Sequence, residues 1–106
     1  MAALFDQIRK LVAERKVRLS VHAHTRLVKR GILFADVIWG VGEGEVLEIY
    51  PEYYAGPAIL VLQSDRAGRP IHAIWGIESE TTEPAVLVSA YYPDPAQWSA
   101  DFRFRK

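Results

Sequence analysis

Along "ALFDQIRKLVAERK" apolar residues at 3, 4, 8, 11 and 12 follow the three-and-four spacing of a helix with one buried face. "VRLS" follows as a short extended link or a short strand, and Ser20 is placed to cap a second helix through its hydroxyl. That helix, "VHAHTRLVKR", stops at Gly31, a residue that accepts the left-handed cap conformation. "LFADVIWGVGEG" reads as a shorter third helix ended by its glycines. From Glu45 the period changes. "GEVLEIY", "PAILVLQS", "PIHAIWGI" and "PAVLVSAYY" are rich in Val, Ile, Tyr and Trp and are bounded by Pro, Gly or acidic turns. "SDRAGRP" is a hairpin connection, and the other links are short, so neighbouring strands run antiparallel. The pattern predicts an α+β fold: two to three N-terminal helices on one face of a four-stranded, mainly antiparallel sheet. The tail after "YYPDP" is expected to make one last turn around Trp98.

The second helix carries two of the three histidines. At about 100° per residue, with Ala23 at 0°, Leu27 lies near 40°, His24 near 100°, Val28 near 140° and Val21 near 160°. His24 therefore falls within an apolar arc and reads as a core histidine. His22, Arg26 and Arg30 form a separate ridge along one edge of that arc, at i, i+4 and i+8. Two histidines one residue apart point about 200° apart on a helix, which argues against a metal clip. With no cysteine present, no metal site and no cofactor are expected. In the third strand Ile71, Ala73, Trp75 and Ile77 share one face, leaving His72 and Ile74 on the other, with His72 at the mouth of a groove. Tyr91 is expected on the same face as Leu87 and Ser89.

At 106 residues, half of them apolar and a quarter charged, the chain (1–106) suits a single globular domain. No run approaches membrane-spanning length and the N-terminus lacks a signal peptide's apolar core, so a cytoplasmic protein with no membrane partner is expected. The formal net charge is zero, which argues against a protein that coats nucleic acid by bulk electrostatics. The distribution is uneven: residues 1–30 carry eight Lys or Arg against two acids, and residues 31–101 carry eleven acids against Arg66 and Arg69. The closing "FRFRK" is basic again. Such asymmetry is compatible with a one-sided anion-binding face, or with solvated helices and acidic turns.

"LSVHAHTRLVKRGI", "GEVLEIYPE", "RPIHAIWGI" and "VLVSAYYPDPAQW" resemble, in order and spacing, the bacterial domain-of-unknown-function family 4258, over about residues 17–98. That family resembles the RelE-like, or barnase–colicin-like, ribonuclease toxins, some encoded beside a zinc-finger antitoxin. The resemblance implies RNA and a cognate antitoxin as partners. It singles out His22, Arg26 and Arg30 on the helix, His72 on a strand and Tyr91 on the closing strand. The neutral charge departs from the basic character common among ribosome-dependent toxins.

Metal-independent RNA cleavage by attack of the 2′-oxygen needs a base, an acid and cations on the phosphoryl oxygens. The expectation is that His22 and His72 form the acid–base pair, Arg26 and Arg30 bind phosphate, and Tyr91 orients the scissile group. The alternative is a non-catalytic binding or regulatory module. Its basic helices would grip an acidic partner or nucleic acid, and exposed Trp39, Trp75, Tyr53 or Tyr54 would supply interface area. Either function is compatible with a monomer or with a homodimer joined through an edge strand.

Overall fold

A computed structural model describes residues 2–53 and 55–106; Tyr54 lies outside the described residues. The helices form where the period predicts: α1 spans Ala2–Ala13, α2 Val21–Arg30 and α3 Phe34–Gly40, the last running into a single 3-10 turn, Val41–Glu43. Both predicted caps of α2 are made. Ser20 Oγ accepts from the Ala23 N–H at 3.0 Å, and Gly31 takes φ 68° while its N–H turns back onto the last carbonyls of the helix.

Five strands follow or interleave: β1 Val17–Leu19, β2 Glu45–Tyr50, β3 Ala58–Ser64, β4 Pro70–Gly76 and β5 Ala85–Tyr91. Their order in the sheet is β1-β5-β4-β3-β2. The four-stranded expectation is corrected here. "VRL" is a fifth strand, parallel to β5 with Val17 opposite Ala85 and Leu19 opposite Leu87, so the sheet is mixed. Three residues are too few to show alternation, and only pairing with a strand almost seventy positions away defines them. The other three pairings are antiparallel.

All three helices pack on one face of the sheet. Phe5, Ile8, Leu11 and Val12 of α1, Leu27 of α2 and Val37 of α3 meet Ile59, Val61, Ile71, Ala73, Trp75 and Leu87 in one apolar cluster. Burying a side chain of this size stabilises the fold by about 1.5–3 kcal/mol. Trp75 donates its indole N–H to Gln63 Oε1 (3.2 Å), and the Gln63 amide donates to the Val37 carbonyl (2.6 Å), so the buried polar atoms of β4, β3 and α3 satisfy one another. Gly40 permits close contact of α3 with β3, because a Cβ there would lie 2.2 Å from the Ser64 carbonyl oxygen. Trp75 is fully buried, which corrects its expected role as an exposed interface aromatic.

The orientation of α2 differs from the helical-wheel expectation. Ala23 and Leu27 are buried, whereas Val21 (83% exposed) and Val28 (67%) face outward, and His24 is exposed with them. The buried arc is rotated toward the arginine ridge. The reason lies at the sheet edge: β1 pairs only with Ala85–Leu87, and α2 lies alongside β5 where that edge continues. Arg30 Nη1 donates to the Ala90 carbonyl at 2.8 Å, tying the end of α2 to β5 beyond the last residue that β1 pairs.

Candidate functional site

Residues opposite each other in adjacent strands share a face of the sheet. His72 lies opposite Leu62 and Tyr91, and Ile74 opposite Leu60 and Ser89. Glu48 lies opposite Leu60 and Tyr50 opposite Ala58. Glu48, Tyr50, His72, Ser89 and Tyr91 therefore share the face turned away from the helices. An irregularity in the β4–β5 pairing sets Leu87 opposite Trp75, on the helix side. This corrects the expectation that Leu87 shares a face with Tyr91: an extra residue in a strand inverts the alternation beyond it.

The chain's own C-terminal segment lies over this face. Trp98 pairs with Arg105 in an isolated antiparallel bridge, closing a loop between them. Trp98 is buried and meets the His72 ring edge-on, with centroids 4.3 Å apart. Phe102 holds a left-handed φ of 62°, which costs a non-glycine residue about 1–2 kcal/mol. Its carbonyl lies 2.8 Å from His72 Nε2. Two ion pairs fasten the segment to β2. Arg103 Nε lies 3.0 and 2.9 Å from the Glu45 carboxylate oxygens, and Arg105 donates from Nε (3.0 Å) and Nη2 (3.1 Å) to Glu48. The Arg105 guanidinium also stacks 4.7 Å over the Trp98 ring.

His72 is consequently 0% exposed, not at the mouth of a groove. A carbonyl only accepts, so Nε2 carries the ring proton, and Nδ1 of the neutral ring accepts from the Tyr91 hydroxyl at 3.2 Å. Burial pushes the His72 pKa below its ordinary value, against the raising effect of the Phe102 carbonyl and of Glu48. Burial likewise raises the Tyr91 phenol. Tyr50 is pushed up to about 12 by burial and by its bond to Glu48. Glu48 itself is held low, chiefly by its hydrogen bond from Arg105. At neutral pH the cluster is thus a neutral imidazole, two protonated phenols and a carboxylate paired with a guanidinium.

The residues on α2 go elsewhere. His22 and Arg26 are exposed and line an open hollow of about 320 Å³ with Ser20, Tyr53, Ala55 and Val88. His72 does not line that hollow. Arg30 is bound to β5, close enough to Tyr91 to favour its ionised form, against the burial that dominates its pKa. Two groups result: His22 with Arg26 at the sheet edge, and His72 with Tyr91 under the tail, with Arg30 between them. Among the described residues, no group of three or more His, Cys, Asp or Glu is placed to hold a metal ion. Nor is any helix long and apolar enough to cross a membrane.

Glu48, Tyr50 and Arg105 were not singled out from the sequence. The signal that could have found them is charge segregation, since a basic tail follows a strongly acidic middle region. Here two of the tail's basic groups are matched internally, by Glu45 and Glu48.

A family model described as a domain of unknown function (DUF4258) matches residues 19–92. The chain belongs to this family. The DUF4258 match runs from the end of β1 through β5 and takes in His22, Arg26, Arg30, His72 and Tyr91. It ends before Trp98, so the segment that covers His72 lies outside the matched region. No curated protein and no solved structure matches the chain.

Proposed function

We propose that this chain is a metal-independent endoribonuclease of RelE-like type, acting as the toxin of a toxin–antitoxin pair, with its reactive groups on the sheet face beneath the tail. The observation that carries the reading is the convergence of His72, Tyr91, Glu48, Tyr50 and Arg105 from three strands and the tail onto one face. In the proposed reaction the tail lifts and a ribose 2′-oxygen attacks the adjacent phosphorus. The P–O5′ bond breaks, leaving a 2′,3′-cyclic phosphate. His72, neutral at pH 7, takes the proton of the 2′-hydroxyl. Arg30, which stands beside Ser89 and Ala90, meets the phosphoryl charge, and His22 and Arg26 bind the strand beside the reacting phosphate. The leaving 5′-oxygen takes its proton from Tyr91 or His22. The test is cleavage of RNA by the purified chain in EDTA. His72→Ala is expected to lower the rate about 10²- to 10⁴-fold, and Tyr91→Phe and His22→Ala distinguish the two acids. Turnover unchanged in both histidine variants would remove the mechanism.

A second reading is favoured by a specific observation: both ring nitrogens of His72 are already bonded and the tail is seated. A non-catalytic module on this scaffold needs no movement. RNA or partner binding with no turnover in the wild type, and no growth defect on overproduction, would select it.

A further inference from the structure

On the helix side of the molecule, α1 and α3 form the walls of an open hollow of about 530 Å³, with an apolar floor that includes Val12, Ile38 and Val41; Trp39, at its edge, also lines an adjoining hollow with Glu43, Glu45 and Arg103 of the tail. The cationic residues of the α1–α3 hollow are Arg9, Arg15 and Arg66, its aromatic residue is Trp39, and among the described residues no acidic side chain lines it. The three guanidinium groups differ. Arg9 is occupied, with Nη2 on Asp6, Nη1 on the Gly42 carbonyl and its face over the Phe5 ring. Arg66 is held from one side only: its backbone N–H and Nε both donate to Asp36 Oδ1, which leaves both terminal nitrogens without a partner among the described residues. Arg15 makes no ion pair and no side-chain hydrogen bond among the described residues, and it stands at φ 63° just beyond the end of α1. Glycine or asparagine would take that conformation at less cost, so the strain there is spent on a long cation aimed outward. Trp39 is 59% exposed, an unusual state for the largest apolar side chain.

We infer that this hollow binds single-stranded nucleic acid, with a base stacked on Trp39 and backbone phosphates on Arg15 and the free fork of Arg66. Charge complementarity decides the occupant. Free guanidinium donors suit phosphate oxygens, and an exposed indole beside them gives a base the π-face it needs without sequence preference. The inference does not depend on cleavage at His72, because none of these residues belongs to the tail-covered cluster.

The three tryptophans make the test specific. Trp75 and Trp98 are 0% and 4% exposed, so quenching of the intrinsic fluorescence by a stacked base reports on Trp39. Titration of the full chain with a short oligouridylate is expected to quench that emission. Trp39→Phe should abolish the quench, and Trp39→Ala, followed by anisotropy of labelled oligouridylate, should weaken binding about five- to a hundredfold. Arg15→Ala with Arg66→Ala should weaken binding and flatten its salt dependence by a log–log slope of about 1.4 for two lost phosphate contacts. His72→Ala should leave the quench intact, which separates this site from the proposed chemistry. These side chains lie outside the apolar core, and unchanged circular dichroism confirms that each variant is folded. No quench by the oligonucleotide overturns the inference, as does affinity unchanged in the double arginine variant. An equal response to polyglutamate would also overturn it, assigning the hollow to an acidic protein segment.

Discussion

The two faces of the sheet are covered by different physics. On one side α1, α2 and α3 interlock with β3, β4 and β5 through fully buried Ile8, Val37, Ile59, Ile71 and Trp75. On the other, the segment 98–105 is buried only at Trp98 and is held by the Arg103–Glu45 and Arg105–Glu48 pairs, which solvent reaches. Apolar burial scales with area and is released only when the layers part, which is unfolding. Exposed ion pairs contribute little and are screened by salt. One cover is therefore part of the fold, and the other is the one expected to lift while the fold persists. The histidine on which the proposed chemistry rests lies under the second.

Three measurements would break or sharpen this contrast. The largest effect belongs to the helix side. Trp75→Ala, which also orphans Gln63 Oε1, is expected to cost about 3–5 kcal/mol in chemical denaturation; a loss below 1 kcal/mol would mean that the core carries less than its burial implies.

A smaller effect follows from His72. Its folded pKa lies below the unfolded value of 6.5, so between the two the unfolded chain binds a proton that the folded one refuses. The stabilisation is full above pH 6.5 and is lost as the pH falls toward the folded value. Denaturation at pH 7 and pH 5.5 should show a decline in the wild type that His72→Gln reduces. Equal declines in both would show that the imidazole is not dehydrated by its cover.

The smallest effect on stability belongs to the tail, where Arg103→Ala with Arg105→Ala should leave the melting temperature close to wild type. The same variant should make His72 reactive toward an imidazole-modifying reagent, and high salt should do so partly in the wild type. A protected His72 in the variant would show that Trp98 packing, and not the ion pairs, holds the cover.

The candidate site was partly legible. The face of His72 was legible by alternation, because β4 is a regular segment, whereas Tyr91 was singled out by the family resemblance and lies beyond an irregularity in β5. Their surroundings were not, since Phe102 and Arg105 reach them from segments with no period of their own. The ridge of His22, Arg26 and Arg30 was legible as a line on a helix. That Arg30 is spent on a sheet edge while His22 and Arg26 face a hollow depends on where β1 ends.

Alone, the sequence determined whatever arises within a few residues: the helical period of α1 and α2, the caps at Ser20 and Gly31, and the turn in which Asp65 accepts from the backbone N–H groups of Ala67 and Arg69. These depend on local sterics and local hydrogen bonds, which the residue types carry with them. Only the tertiary structure decided that three residues from Val17 make a parallel strand, that α2 turns its valines to solvent, and that a basic tail closes over His72. Each is a contact between distant segments, selected by which edges and charges remain unmatched once the layers have assembled, and no window of neighbouring residues contains that information.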